Sequence, residues 1–219
     1  PISVDIKALR QMLVLRNPIG KKSGIKNINV VLPGQIITYD RNKAILKTDF
    51  YFNLEDTFHK KKTKLNKDAE HIVSELIEDS VKKHLTSDVG FSVQLSGGID
   101  SSLVTAIAAQ NSSTSIDTFG VKLSEPEYDE SYYRSLVVER YKTNHHEIML
   151  GEKEFSDNFD ECIETLETPS AHFGCVFLKL LYQKISQNNK VSLVGEGADE
   201  LFGGYSRFTN IKRNFLKHK

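Results

Sequence analysis

Two stretches of this chain gather residues able to hold an anionic ligand and act on it. In Ser96-Gly97-Gly98-Ile99-Asp100-Ser101-Ser102, hydroxyls and one carboxylate surround a glycine pair. Glycine has no Cβ, so the backbone there can bend tightly and a ligand can approach it closely. A helix that starts directly after such a turn points free N–H groups at it, with roughly half a positive charge. That makes the turn an anion site, to which Ser96, Ser101 and Ser102 add hydroxyl donors. Two common phosphate loops are excluded: a Walker A loop needs Gly-Lys-Ser/Thr after its spacer, and Gly-x-Gly-x-x-Gly is not present. The simpler account is a strand–helix turn with Asp100 and the serines as caps, and capping belongs to either account. The second stretch, Gly195 to Tyr205, carries Glu196, Asp199 and Glu200 among Gly195, Gly197, Gly203 and Gly204. It can set carboxylates near a ligand and lay backbone against it. Acidic residues also suit the start of a helix, so taken alone it is equally a turn before a capped helix.

The elements that must position these residues follow from periodicity. Phe91, Val93 and Leu95 alternate with small or polar residues, as in a strand, and Leu103, Val104, Ile107 and Ala108 share a helical face. Upstream, Val4, Ile6, Leu9, Met12, Leu13 and Leu15 suggest a short amphipathic helix. Apolar alternation over Ile28–Tyr39 and Ala44–Phe50, around the polar Asp40–Lys43, predicts a β-hairpin. Asn53–Asn66, with Lys60, Lys61, Lys62 and Lys64, is a solvated linker and no nucleic-acid patch. From Lys67 helices and strands alternate. Ile72, Val73, Leu76, Ile77 and Val81 form one helical face. Strands are expected at Ile116–Lys122, His145–Leu150 and Val191–Val194. A helix over Glu130–Tyr141 has Asp129 as its N-cap and Tyr133, Leu136 and Val137 facing inward. Further helices carry Phe159, Cys162, Ile163 and Leu166, then Phe177, Leu178, Leu181 and Ile185. This alternation argues for an α/β fold, a parallel sheet with helices on both faces, preceded by a short β-hairpin segment. Ligands of such sheets sit at the carboxyl ends of the strands. Both glycine stretches fall there, so one cleft can contain them. His145 and His146 are adjacent on a strand, point to opposite faces, and are expected to be structural.

With 219 residues the chain can hold one full domain and an extra segment. Its 29 Lys and Arg balance 29 Asp and Glu, so no net field draws nucleic acid or an anionic membrane. No apolar run reaches the length of a membrane span, and the N-terminus lacks a signal-peptide core. Cys162 and Cys175 make neither a disulfide framework nor a zinc site. Both are expected to be reduced, buried and inert, and a cytoplasmic setting follows.

The Ser96–Ser102 turn resembles the pyrophosphate loop, Ser-Gly-Gly-x-Asp-Ser, of ATP pyrophosphatase-type enzymes, in which the loop holds the β- and γ-phosphates while the α-phosphate is attacked. Asp100 beside phosphates then calls for a bridging Mg²⁺, which commonly joins one or two carboxylates to phosphate oxygens. Leu95–Ser102, Thr118-Phe119-Gly120-Val121, Tyr128-Asp129-Glu130-Ser131, Asn144-His145-His146-Glu147 and Gly195–Tyr205 occur in the order they take in the synthetase domain of asparagine synthetases. The resemblance covers about residues 67–210. It divides the chain into residues 1–57, similar to the end of a glutaminase domain and its junction, and residues 58–219, a synthetase-like domain of the adenine nucleotide alpha hydrolase-like fold.

The resemblance implies that an aspartate carboxylate attacks the α-phosphate of ATP, that pyrophosphate leaves, and that ammonia from glutamine displaces AMP to give asparagine. By carry-over, Ser96, Gly97, Gly98, Ser101 and Ser102 hold pyrophosphate, and Asp100 and Asp199 hold Mg²⁺. Leu95, Val121 and Gly195 border the adenosine, and Glu196 accepts a proton from the attacking amine. The same scaffold also serves amidation of other carboxylates, such as sugar acids. An NAD or GMP synthetase, or a non-catalytic nucleotide-binding or partner-binding module, is a further alternative. Small-molecule substrates are implied as partners, without nucleic acid or membrane, and a homodimer is compatible.

The chain departs from the family pattern in places. It has no N-terminal cysteine nucleophile, and Glu167–Cys175 differs from the aspartate-side sequence. The cations after Tyr205 (Arg207, Lys212, Arg213, Lys217, Lys219) do not reproduce the context of the family's pyrophosphate-facing lysine. The expectation is a piece of a longer enzyme, inactive or weakly active alone.

Overall fold

A computed structural model of the chain describes residues 2–58, 68–125, 127, 129–166 and 172–209. Lys60, Lys61, Lys62 and Lys64 of the expected linker, Tyr128, residues 167–171, and Lys212, Arg213, Lys217 and Lys219 lie outside the described residues. The chain forms two compact units, residues 1–67 with 163–173, and residues 68–162 with 174–219. In the first, α1 (Ile6–Leu15) is capped by Asp5, whose carboxylate accepts from the N–H groups of Lys7 and Ala8. The expected hairpin is present: β1 (Gln35–Asp40) pairs antiparallel with β2 (Ile45–Phe50), Gln35 opposite Phe50. Asp40 Oδ1 accepts from Asn42 N–H at 3.0 Å within the turn. A short α2 (Leu54–Phe58) follows.

The second unit begins with α3 (Ala69–His84) and then alternates. Its elements are β3 (Phe91–Gln94), α4 (Ile99–Gln110), β4 (Asp117–Leu123), α5 (Ser131–Tyr141), β5 (Asn144–Leu150), α6 (Glu152–Leu166), α7 (Gly174–Ile185), β6 (Val191–Leu193), α8 (Ala198–Phe202) and α9 (Ser206–Thr209). The four strands form one sheet in the order β5-β4-β3-β6, and every neighbouring pair is parallel. The chain lays down β3, β4 and β5 in one direction and then returns to place β6 on the far side of β3. Since parallel crossovers are right-handed, the outward run and the return put helices on opposite faces. Two cores record this. Val93, Ala108 and Ile116 pack with Val104 and Leu193 on the α4 side. Phe119, Leu181 and Ile185 pack with Val121 and Ile148 on the α7 side. Among the described residues no helix is long and apolar enough to cross a membrane.

Two expectations about facing are corrected. On α5, Tyr133 is 62% and Leu136 47% exposed, whereas Arg134 is 2% exposed. The inward position of this helix meets polar partners, so a long stem with a cationic head fills it better than an apolar side chain. On α3, Val81 is buried but Ile72, Val73 and Leu76 are exposed, and the main packing partner of α3 among the described residues is α4. The cysteines fit the reading of inert thiols in part: Cys162 is buried and Cys175 half-buried. Burial, with a hydrogen bond to Cys175, pushes the Cys162 thiol above its usual range.

The two histidines lie on opposite faces of the sheet, and each contacts a neighbouring side chain. His146 stacks on Phe119, with ring centroids 4.7 Å apart, and its Nε2 lies 3.2 Å from Asp117 Oδ1. Burial alone would raise Asp117, but hydrogen bonds from His146, Asn144 and Asn189 outweigh it and hold the carboxyl below its ordinary value. His145 Nδ1 lies 2.9 Å from the Thr118 hydroxyl. Burial, then the charge of Arg134, pushes this imidazole below its ordinary value of 6.5. The fold therefore favours neutral His145. Between that folded value and 6.5 the unfolded chain binds more protons, so stability rises with pH through the window. Stability is expected to be full above pH 6.5 and to fall on acidification below it. Urea titrations from pH 7.5 to 5 should show this slope and show it flattened in His145→Asn; equal slopes in both proteins would exclude His145 as its source.

Candidate active site

In sheet order the strands run third-second-first-fourth, so the order reverses between β3 and β6. Open α/β sheets take ligands at that switch point, outside the carboxyl ends of the strands. The turn after β3 and the turn after β6 are the two glycine stretches. They meet because Gly195 has no side chain: a Cβ there would stand 2.9 Å from Ser101 N and 3.1 Å from Asp100 Cβ. Gly195 thus lies on the first turn of α4, and this contact carries Glu196 and Asp199 to the Ser96–Ser102 turn.

The first glycine pair divides its work. Gly97 has φ 110°, the left-handed region that L side chains avoid. A Cβ on it would stand 2.7 Å from Glu130 O and 3.2 Å from Arg134 N, so its bareness lets the start of α5 close on the turn. Gly98 is the N-cap of α4 and provides no side-chain cap, which leaves first-turn N–H groups uncapped. The serines are more committed than their types suggest. Ser96 Oγ and Ser101 Oγ lie 2.9 Å apart, Gly98 N–H donates to Ser96 Oγ at 3.1 Å, and Ser101 Oγ donates to Gly98 O at 3.2 Å. These hydroxyls hold the turn in shape before they could donate to a ligand.

A cavity of about 650 Å³ opens over these turns. Of the residues expected at the site, Leu95, Ser96, Gly98, Asp100, Ser101, Val121, Gly195, Glu196 and Asp199 line it, and Gly97 and Ser102 do not. Gly97 is screened by α5, as above, and Ser102 has turned into the helix, its N–H donating to Gly98 O at 3.1 Å. A second cavity of about 710 Å³, against Leu76 of α3 and Phe202 of α8, shares Asp100 and Glu196 with the first.

Among the lining residues that sequence reasoning did not assign to the site are Gln94, Glu130 and Arg134. Arg134 crosses the sheet from α5. Its Nη1 donates to Ser96 O at 2.8 Å and its Nη2 to Glu147 Oε1 at 2.8 Å. Gly120 makes room for it, since a Cβ there would stand 2.7 Å from Arg134 Cδ and 2.8 Å from Leu95 O. The signal in the sequence was Gly120 inside a strand, which marks a close approach of other atoms. The helix starts one residue later than expected, so Glu130 and not Asp129 is its N-cap; Asp129 stands just before it and accepts from Ser131 N–H at 2.9 Å and from the Ser131 hydroxyl at 2.8 Å. Those bonds are the chief reason its carboxyl sits below the usual range.

Among the described residues the cavity's charged lining is Asp100, Glu130, Glu196 and Asp199 against one cation, Arg134. A polyphosphate placed there alone would be repelled. A divalent cation shared between carboxylates and phosphate oxygens removes the conflict, and Mg²⁺ needs only one or two carboxylates for that. Among the described residues no group of three or more His, Cys, Asp or Glu stands ready as a complete metal cage.

This fold and site define an α/β domain with two glycine turns meeting at its switch point. The family is shown by sequence: residues 73–218 match the family model described as asparagine synthase, and the chain belongs to that family. Asparagine synthetase (glutamine-hydrolyzing) 3 of Bacillus subtilis is 29% identical over 197 residues, covering 84% of this chain and 31% of that protein. A putative asparagine synthetase (glutamine-hydrolyzing) 2 of Methanocaldococcus jannaschii is 30% identical over 188 residues, covering 84% of this chain and 35% of that protein. Asparagine synthetase (glutamine-hydrolyzing) 1 of Bacillus subtilis is 28% identical over 219 residues, covering 100% of this chain and 33% of that protein. The chain thus spans about a third of the length of these relatives.

Proposed function

We propose that this chain carries the ATP-using part of an amide-forming ligase, most specifically one that converts aspartate to asparagine with release of AMP and pyrophosphate. Residues 58–219 are the synthetase-like domain in this reading, and residues 1–57 the end of a glutaminase domain and its junction. Such an enzyme works in the cytoplasm on small molecules. The observation that carries the proposal is the seat of Gly195 on the first turn of α4, which joins the two glycine turns into one site.

The chain's residues take these roles. The uncapped start of α4, with Ser96, Gly98 and Ser101, binds the β- and γ-phosphates, and Gly97 and Ser102 keep the turn in shape. Leu95, Val121 and Gly195 border the adenosine. Asp100 and Asp199 are the carboxylates to hold Mg²⁺. When bound, that ion neutralises charge between the carboxylates and the phosphate oxygens. The substrate carboxylate oxygen attacks the α-phosphorus, the bond to the pyrophosphate oxygen breaks, and an acyl-adenylate forms. Alignment and charge compensation lower this barrier more than covalent help from the protein. Ammonia then attacks the acyl carbon, Glu196 takes its proton, and AMP leaves.

Asp100 tests the reading at the metal. It is exposed at the start of α4, so Asp100→Ala should leave the fold intact. A hydrogen bond or contact to a charged group contributes about 1.5–3 kcal/mol, and about 1.4 kcal/mol is tenfold in affinity. Calorimetric titration with Mg·ATP should therefore show at least about tenfold weaker binding in Asp100→Ala. Equal affinities would remove Asp100 from the metal site. ATP–pyrophosphate exchange with a panel of carboxylates identifies the substrate: dependence on aspartate supports asparagine synthesis, and dependence on a sugar acid moves the assignment to that acid.

A further inference from the structure

We propose that Gln94 selects the base of the nucleotide, favouring a 6-amino purine over a 6-oxo purine; this rests on the ATP reading above. Gln94 ends β3 and pairs in register with Phe119 of β4. Side chains directly opposite on parallel strands leave the same face of the sheet, so Gln94 stands on the face where Phe119 packs against α7. There the cavity wall is apolar, with Phe119, Val121, Leu178, Leu181 and Tyr182. A wall of that kind suits a flat heterocyclic base, while the turns after β3 and β6 suit the phosphates.

Within this apolar wall the donor of the Gln94 amide is uncommitted. Its Nε2 is buried and has no hydrogen-bond partner among the described residues. Native proteins leave few buried donors unpaired, and each is costly. A core-filling role would be served better by leucine, which carries no such cost. A primary amide presents a donor beside an acceptor. That pair matches the N7 and 6-amino edge of adenine bidentately, whereas the corresponding edge of a 6-oxo purine offers two acceptors. The unpaired Nε2 therefore finds N7 in either purine, while Oε1 accepts from the 6-amino group of adenine and is opposed by the 6-oxo group of hypoxanthine.

The test uses Gln94→Leu, which removes an unpaired amide and should fold with equal or higher thermal stability. Calorimetric titrations compare Mg·ATP, Mg·ITP and Mg·pyrophosphate on both proteins. Wild type is expected to prefer ATP over ITP by about tenfold, the scale of one good bidentate base contact. In Gln94→Leu the preference should shrink to less than about threefold through weaker ATP binding, while pyrophosphate affinity is kept. A variant that keeps the wild-type ATP to ITP ratio overturns the role of Gln94, as does a wild type that binds both nucleotides equally. A wild type that binds neither nucleotide nor pyrophosphate overturns the ATP reading itself. If Gln94→Leu fails to fold, Gln94→Met decides. It keeps the length of the side chain but has neither amide atom, so it should lose ATP preference, and retained preference overturns the proposal.

Discussion

Arg134→Met is expected to lower the stability of the second unit by about 3 kcal/mol. Arg134 is 2% exposed, and its guanidinium bridges Ser96 O and Glu147 Oε1, each at 2.8 Å. Breaking a buried charge pair costs about 3–5 kcal/mol because the remaining charge loses its partner. Glu147 is 36% exposed and can turn to water, with Lys122 Nζ 4.0 Å away, so the lower end applies. Methionine replaces the apolar stem and so limits the cavity term. Arg134→Lys should fall between, since an ammonium can reach one partner but cannot bridge two as a planar fork does. Urea unfolding at neutral pH measures all three proteins. A methionine variant within about 1 kcal/mol of wild type would show that the bridge adds little beyond its desolvation cost.

Arg134 also marks where the sequence was legible and where it was not. Backbone-level features came through. The alternation of Phe91, Val93 and Leu95 and the glycine pair after them predict strand, turn and helix, and β3 and α4 stand there. The hairpin followed from two alternating runs around a polar turn. What failed was the facing of α5, where apolar spacing named Tyr133, Leu136 and Val137. Periodicity assumes that the inward side chain is apolar. Here the inward position faces a backbone carbonyl and a carboxylate, and a long cationic side chain buries its stem while its head meets both. The strand order was also beyond the pattern, since periodicity tells helix from strand but not which strands are neighbours. The switch point between β3 and β6 emerged only with the pairing.

At the site the same division holds. Residue types named the carboxylates and hydroxyls, but types do not reveal prior commitments. Ser96 and Ser101 spend their hydroxyls on each other and on the turn, and Asp129 spends its carboxylate on Ser131. Glu130 lines the cavity because the bare Gly97 lets α5 begin against the turn. That proximity joins residues far apart in sequence, and no local pattern records it. Glycines carried the most information for their size: Gly97, Gly120 and Gly195 each mark a place where another element fills the missing Cβ.

Glu196→Ala is expected to lower ammonia-dependent amide formation by about 10²–10⁴-fold, the usual contribution of a positioned general base, and to leave carboxylate-dependent ATP–pyrophosphate exchange within about tenfold of wild type. Glu196 lies exposed in the turn after β6, beside the seat of Gly195 on α4, and lines the cavity. The partners of the guanidinium bridge are Ser96 O and Glu147 Oε1, so the loss of Glu196 should not loosen the turn after β3. The two half-reactions ask different things of this residue. Attack on the α-phosphate transfers no proton from the nucleophile, because the attacking carboxylate is already ionised near neutral pH. Attack by ammonia leaves a proton to be removed from nitrogen, and the carboxylate of Glu196 can take it. The split between half-reactions therefore separates a base from a residue that merely shapes the cavity, whose loss would lower both. Glu196→Gln sharpens the comparison, since it keeps size and hydrogen bonding but cannot accept the proton as a carboxylate does. Wild-type amide formation in either variant would sink the general-base role. A parallel fall in exchange and amide formation would reassign Glu196 to nucleotide binding.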